Sequence, residues 1–556
     1  MQFPTLLHAF YHREKNQADN VYLRQPFGEK WEDYSWAEVG QMARKMATYL
    51  KSQNFPKGSH IGLVSKNCRE WVIADIAIMM AGHVSVPFFA TLTGKQIAEV
   101  LELGDVVCLF AGKTEVWGDM KTGVPQDMPI IRFPHYVGNS EIKRGRDWNE
   151  ILEESLPMED SPTPTPDDLW TIIFTSGTTG TPKGVMVKHG TMAAQARAIH
   201  GPNVLNLDQT GATNVFFSFL PLNHVAERGV VECMCIWYGG SMAFTESIDR
   251  FAANLQDIRP TLFFAVPRIW TKLRGGVLAK MPEEKLNKFL RIPILSWYVK
   301  RKIAKGLGLD RTRINITGAA AIPQATKSFF AKIGLPLSEA YGMTENCATS
   351  HMLFPGQDKP GSVGRAQSGT ECRIDPESGE VLTKALYTMD GYYKDPEKTA
   401  ETITEGWLHT GDQGKIDEDG FLFLTGRVKD TFKTAKAKFI VPNEIEKKFD
   451  SLTDIEQMCL LGLGMPQPVL VVSLSEIGLA RTQDAVKETL SAKLDAVNNK
   501  LASYKKVAAI IIAKEGFSVE NGLLTPTLKV KRPHVHNRFS DRLSEWCNLD
   551  GVVIGE

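Results

Sequence analysis

Thr175, Ser176, Gly177, Thr178, Thr179, Gly180 and Lys183 fall within one short run, TSGTTGTPKG, and their types suit one kind of ligand. Hydroxyls, backbone N–H groups that glycine opens to close approach, and one ammonium are what a polyphosphate needs around it. A polar hairpin turn is the plainer reading. Three Gly, four Thr, one Ser, one Pro and one Lys in ten positions is too directed a composition for that. A P-loop NTPase is the obvious rival, and it fails. Counting from Gly177, Pro182 stands where the second glycine belongs and Gly184 where the Ser/Thr belongs. An apolar run, Val185-Met186-Val187, then follows in place of a helix, and Thr171-Ile172-Ile173-Phe174 before the loop reads as a buried strand. Spacing alone gives a nucleotide phosphate loop between two strands.

Other stretches offer complementary chemistry. Tyr341-Gly342-Met343-Thr344-Glu345 supplies an aromatic face, a permissive backbone, a hydroxyl and a carboxylate, a set suited to a base, a phosphate and a hard cation. Gly318-Ala319-Ala320 ends a strand with side chains small enough for a flat ring to lie on the backbone. His224 follows a strand over 216–220, at the kind of carboxyl edge where open α/β folds keep their ligands. Asp412 follows a glycine and reads either as a turn-stabilising side chain or as an acceptor for both hydroxyls of a ribose. Lys529 lies in a loop with Lys531 and Arg532, where a lysine is ordinarily solvated surface.

Taken together, these segments resemble the acyl-adenylate-forming superfamily of acyl-CoA synthetases, peptide-synthetase adenylation domains and luciferases. The stretch TIIFTSGTTGTPKGVMVKHG carries its phosphate signature, and Tyr341 to Glu345 its adenine and magnesium segment. Trp407-Leu408-His409-Thr410-Gly411-Asp412 carries its ribose segment, and Gly426-Arg427-Val428-Lys429-Asp430 its hinge. Leu220-Pro221-Leu222-Asn223-His224-Val225-Ala226-Glu227-Arg228 resembles the long-chain branch in particular. The resemblance implies an ATP-dependent fatty acid–CoA ligase working through acyl-AMP, with ATP, Mg²⁺ and coenzyme A. It implies that His224 lies beside the carboxylate, that Tyr341 stacks on adenine, and that Thr344 meets the α-phosphate. Glu345, with Thr175, then binds Mg²⁺; Asp412 holds the ribose, Arg427 lies near ribose and phosphate, and Lys529 is the catalytic lysine.

One departure falls in the segment from Phe432 to Phe439, where the family writes glycine in place of Ala437 in a stretch, with Lys433, that lines the thiol tunnel. A methyl there narrows the passage or opposes a positive φ. The alternative is therefore an acyl-AMP ligase with weak or no CoA transfer, passing the acyl group to another acceptor. A shortened stretch between Gly379 and Gly391, EVLTKALYTMD, also departs and suggests no role. A non-catalytic binding module is the third reading; Lys529, Glu345 and Asp412 weigh against it.

These residues need a scaffold. A helix over 37–53, a strand over 61–64, a helix over 70–80, strands over 84–89 and 106–110 and a helix over 95–103 alternate, which points to parallel sheets covered by helices. A proline-rich, acidic stretch over 157–168 leads into the phosphate loop. The expected architecture is α/β: a large N-terminal domain over 1–426 with parallel-rich sheets, and a small mobile α+β domain over 427–556 hinged near Lys429. Asn443 to Glu446 reads as a capping-box helix start in the small domain.

Composition sets the outer bounds. The chain of 556 residues balances 64 Lys and Arg against 64 Asp and Glu, which argues against nucleic acid as a partner. Eight scattered cysteines lack zinc-like spacing and read as reduced thiols. Neither a secretory signal nor a membrane-spanning run is evident, so a cytoplasmic protein is expected. Residues 281–310 mix cations with Phe289, Ile292, Ile294, Trp297 and Tyr298. They read as a basic patch that touches anionic membranes, placing the protein at the inner membrane face, or as a solvated helical excursion, the commoner meaning of such a run. Oligomeric state is not legible here.

Overall fold

Two sheets organise the residues up to Leu408. In a computed structural model the described residues are 3–175, 182–199, 205, 207, 208, 210–357, 359–450, 452–525 and 529–555. They divide into two compact units. Met1–Thr175, Pro182–Glu371 and Thr383–Leu408 form one; Cys372–Leu382 and His409–Glu556 belong to the other.

In the first unit a nine-stranded sheet runs six parallel strands side by side: Leu337–Tyr341, Ile314–Thr317, Leu262–Ala265, Val215–Ser218, Ser241–Phe244 and Val21–Phe27. An eight-stranded sheet also holds six parallel strands, from Leu169–Thr175 through Val84–Phe88, His60–Val64 and Val106–Ala111 to Ile130–Arg132 and Arg146–Asp147. Lys183–Lys188 joins it antiparallel to Leu169–Thr175, so a strand and not a helix follows the phosphate loop.

The helix Arg69–Ala81 shows why the unit coheres. Every one of its residues is buried, as an all-round apolar sequence requires, and it touches both Val84–Phe88 of one sheet and Val21–Phe27 of the other. Its charged Asp75 is admitted because Arg228 meets it there, both side chains fully buried. The expected helices and strands lie within a few residues of those observed: Trp36–Ser52, His60–Val64, Arg69–Ala81, Val84–Phe88, Gly94–Leu103 and Val106–Ala111. Ser35 starts the first helix with a full capping box to Glu38.

The second unit centres on the strands Ile455–Leu461, Val469–Leu474, Ala509–Ile512 and Gly551–Ile554. Alternate side chains separate its two faces. Cys459, Leu461, Val471 and Ile511 pack on the helix Arg532–Trp546, while Leu460, Leu470, Val472 and Ile510 pack on the helix Gln483–Asn498. The segment Cys372–Leu382 joins this unit through hydrogen bonds from Thr410 Oγ1 to the Val381 carbonyl and from Gln413 Nε2 to the Ser378 carbonyl.

Two local expectations are corrected. Asn443 does not cap a helix: Pro442–Glu446 starts without a side-chain cap, because the Glu446 carboxylate turns to Arg532 and the Leu460 N–H. Asp412 lies inside the strand Trp407–Ile416, not in a turn, paired in register with Arg427 on Leu422–Arg427. All eight cysteines are free, as expected. Among the described residues no helix is long and apolar enough to cross a membrane.

Candidate active site

In the first unit the candidate residues gather at strand ends. Thr175 and Lys183 face each other across the strand pair that flanks the phosphate loop, with Thr175 Oγ1 3.5 Å from the Lys183 carbonyl. Ser176, Gly177, Thr178, Thr179 and Gly180 lie outside the described residues. The Lys183 ammonium stands 5.3 Å from the centre of the Tyr392 ring, and the Tyr392 hydroxyl donates to Glu345 Oε1 at 2.8 Å. Tyr392 thereby joins the phosphate-loop cation to the carboxylate of the Tyr341 segment. Burial, then the neighbouring Glu345 charge, push its hydroxyl well above the usual tyrosine range, so it remains a donor.

Glu345 is also held by its backbone, whose carbonyl accepts from the Met389 N–H at 2.8 Å. Met389 comes from the departing stretch after Gly379 and Tyr392 lies two residues past its end, so this region, to which the sequence assigned no role, braces Glu345. The chain around Gly342 is tightly doubled back. Cys347 and Ala348 both take positive φ, 51° and 57°, and any Cβ on Gly342 would run into the Ala348 carbonyl. Only glycine fits there. Thr344 opens the single turn Thr344–Asn346. The strands Ile314–Thr317 and Leu337–Tyr341 are parallel neighbours, so Gly318, Ala319 and Ala320 emerge beside Tyr341, with Ala319 at φ 66°.

His224 follows the strand Val215–Ser218 of the same sheet and caps the short helix Val225–Glu227, its Nδ1 accepting from the Ala226 N–H at 3.3 Å. With Nδ1 an acceptor, the neutral ring carries its proton on Nε2. The residues after it, which the sequence marked by resemblance without a role, build the support. Glu227 is fully buried, accepts from the Phe219 N–H at 3.0 Å, and burial pushes its carboxyl up to about 8. The Arg228 guanidinium donates to Thr171 Oγ1 at 2.6 Å and to Asp75, lies 3.4 Å from Glu232, and stacks 4.1 Å over Trp170. Burial, then the Asp75 charge, push the Glu232 carboxyl well above the carboxylate range. Arg228 thus ties the His224 segment to Trp170 and Thr171, on the strand that leads into the phosphate loop. A charged residue in an otherwise apolar run was the available signal.

The second unit carries the remaining candidates. Arg427 Nε contacts Asp412 Oδ1 at 2.9 Å, and the Asp412 N–H donates to Thr410 Oγ1 at 3.1 Å. Next to it, the Gly411 N–H donates to Glu380 at 2.7 Å, which fixes the bend before Asp412. Lys433 and Ala437 belong to the hairpin of Phe432–Lys433 and Phe439–Ile440, where the Lys433 ammonium lies 4.7 Å from the Phe439 ring. Ala437 is exposed and sits at φ 56°, the left-handed conformation that the glycine expected there would take without strain. Lys529 pairs with Thr525: the Thr525 N–H donates to the Lys529 carbonyl at 2.8 Å and the Lys529 N–H to Thr525 Oγ1 at 3.0 Å. Arg532 then anchors this segment, forked on Glu446 at 2.9 and 3.0 Å and 3.4 Å from Asp430, the neighbour of Lys429. Of the two cations that follow Lys529 in sequence, Arg532 is the one that supports the segment.

Residues 10–393 match the family described as AMP-binding enzyme. The chain is similar to a long-chain-fatty-acid–CoA ligase of Xenopus laevis, 28% identical over 99% of this chain and 84% of the relative. It is similar to long-chain-fatty-acid–CoA ligase 5 of Rattus norvegicus, 31% identical over 92% of this chain and 84% of the relative. Among solved structures, an anthranilate CoA ligase in complex with anthranoyl-AMP superposes with a TM-score of 0.79 at 19% identity, covering 97% of this chain and 98% of that one.

Proposed function

The chain belongs to the AMP-binding enzymes, and from that premise we propose how its residues activate a fatty acid with ATP and transfer it to coenzyme A. The reaction is that of a long-chain fatty acid–CoA ligase, and relatives so named, spanning almost the whole chain, support it. The single structural observation that carries the reading is the chain of contacts Lys183–Tyr392–Glu345, which places a cation and a carboxylate on either side of one protonated hydroxyl beside the adenine segment.

A carboxylate is a poor electrophile. Its oxygen attacks the α-phosphorus of ATP, an O–P bond forms, and the bond to the departing pyrophosphate breaks, leaving acyl-AMP. The obstacle is one anion attacking another, so the residues that matter supply positive charge and donors. In this proposal Lys529 bridges the carboxylate and ribose side, and the His224 Nε2–H faces the carboxylate. Thr344 donates to the α-phosphate, and Lys183 with the hydroxyls of the phosphate loop receives the pyrophosphate. Tyr341 stacks on the adenine that Gly318, Ala319 and Ala320 admit, and Asp412, oriented by Arg427, accepts from the ribose hydroxyls. Glu345 and Thr175 are a donor set that fits Mg²⁺, which prefers oxygen and keeps phosphate and water ligands, and which would neutralise phosphate charge there. The pantetheine thiol, having lost its proton, then attacks the acyl carbonyl and AMP departs. A boundary at 426/427 with Lys429 as pivot belongs to the same proposal, since one site has to serve two transition states in turn. So does a cytoplasmic location.

An acyl-AMP ligase without CoA transfer is not favoured, because the relatives are named for CoA ligation. The test is product mass spectrometry with ATP, Mg²⁺ and a panel of fatty acids, with and without CoA. Acyl-CoA from the wild type, reduced at least ~100-fold in Lys529→Ala at an unchanged unfolding temperature, is the expected result. Neither acyl-AMP nor acyl-CoA from any acid would overturn the reading.

A further inference from the structure

The helix Pro293–Leu307 has two unlike faces. Its inward face, through Val299, Ile303, Ala304 and Leu307, completes a core with Leu286 and Leu309. Its outward face is not polar, as a surface helix would ordinarily be. Ile294 is 84% exposed, Trp297 61% and Tyr298 55%, and Ile292 just before the helix is 54% exposed. Ile294, Trp297 and Tyr298 share one side at helical spacing, so they form a contiguous apolar patch and not scattered single residues.

Charge says what covers it. Between Lys285 and Leu309 stand seven Lys and Arg and no acid, in a chain whose formal charge is zero. Exposed Arg301, Lys302 and Lys305 continue the outward face beyond the apolar patch, and Arg291 precedes it. The Arg301 guanidinium lies 5.4 Å from the Trp297 ring, an arrangement that keeps the cation at the edge of the apolar patch. Two exposed acids precede this stretch, Glu283, 3.9 Å from Arg274 and 3.7 Å from Lys332, and Glu284. Large apolar side chains ending in a cationic collar match a surface that is apolar inside and anionic outside.

We propose that Arg291, Ile292 and the outward face of Pro293–Leu307 dock the protein on the anionic surface of a lipid bilayer. Ile292, Ile294 and Trp297 enter the headgroup region while Arg301, Lys302 and Lys305 lie against phosphates. Its purpose rests on the fatty-acid reading, since such a substrate partitions into bilayers. The docking itself does not.

The experiment is flotation of the full chain, without ATP or CoA, on vesicles of phosphatidylcholine alone or mixed with phosphatidylglycerol. The wild type is expected to float with the mixed vesicles, less with phosphatidylcholine, and less as salt is raised. Replacing Arg301, Lys302 and Lys305 by Gln should lower partitioning ~100-fold, and Ile294→Ser with Trp297→Ser at least ~10-fold, at unchanged unfolding temperatures. Absence of wild-type flotation, or flotation of both variants like the wild type, overturns the proposal. Lipid-independent self-association that the Ile294→Ser, Trp297→Ser variant abolishes also overturns it, in favour of a contact between copies. Because neither nucleotide nor thiol is present, failure here and failure of the ligase reading are separately visible.

Discussion

Two guanidinium–carboxylate pairs support the candidate chemistry, and they differ in kind. Arg228 and Asp75 are 0% and 1% exposed, whereas Arg427 and Asp412 are 48% and 12% exposed. The first pair pins the buried helix Arg69–Ala81 to the segment bearing His224. The second orients a side chain that is itself a candidate ligand. In the first unit, then, charge holds backbone in place, out of reach of water. In the second it reaches the surface on one side only, through the half-exposed Arg427 guanidinium, while Arg532 ties Glu446 and Asp430 to the segment that follows Lys529. A buried pair resists loss strongly because its survivor is stranded in low dielectric; a pair whose cation is half exposed gives up less.

The largest effect should come from breaking the two pairs alike. Arg228→Met leaves Asp75 and Glu232 buried with no cation and should cost about 3–5 kcal/mol, whereas Arg427→Met should cost under about 1 kcal/mol, both read from urea midpoints. Adding Asp75→Asn and Glu232→Gln to Arg228→Met should return part of the loss; similar costs for the two single variants would erase the contrast. Next comes pH. The Glu227 carboxyl is raised to about 8 in the fold, so its protonated form is favoured there. Its contribution is therefore fully present below the unfolded pKa near 4.5 and is lost as pH rises towards 8. Relative to Glu227→Gln, the wild type should lose a few kcal/mol, about 3, between pH 5 and 8 in unfolding experiments; parallel curves would place the carboxyl in water.

A smaller effect is expected where the units' site chemistry is directly probed. Tyr392→Phe removes the hydroxyl that Glu345 accepts and should slow pyrophosphate exchange about tenfold while shifting the unfolding temperature little. Smallest is Ala437→Gly, which relieves an alanine at φ 56° and should stabilise the second unit by about 1 kcal/mol. If the methyl also obstructs the thiol, CoA-ester formation will rise in that variant with pyrophosphate exchange unchanged.

Local pattern carried much of this architecture. Apolar runs located the central strands of the eight-stranded sheet and their helices, though not Val21–Phe27 or Ser241–Phe244 of the other sheet, and the placement of His224, Gly318 and Tyr341 just after or at the ends of strands was readable because strand and loop are neighbours in sequence. What escaped was held by distance along the chain. Tyr392 sits in a Gly-Tyr-Tyr run with nothing to indicate that it meets Glu345, 47 residues earlier. Asn443 to Glu446 has the spacing of a capping box, but Arg532, 86 residues on, is the stronger partner for Glu446. Glu227 and Arg228 were legible only as part of the segment resembling the long-chain branch; their complete burial comes from the fold. Ala437 is the reverse case: a single unexpected methyl pointed to a positive φ, and the backbone has one.

Biosynthesis meets the Asp75–Arg228 pair as an interval. The two residues are 153 positions apart, so at about 5–20 residues per second the carboxylate waits about 8–30 s for its cation. Throughout that time the helix Arg69–Ala81, apolar on every side beyond its first turn, carries at Asp75 a side chain it cannot bury. The nascent chain therefore passes through a stage in which its most hydrophobic helix has only part of its final surroundings. Slowing elongation ahead of Arg228 lengthens that stage, and with it the demand for a chaperone.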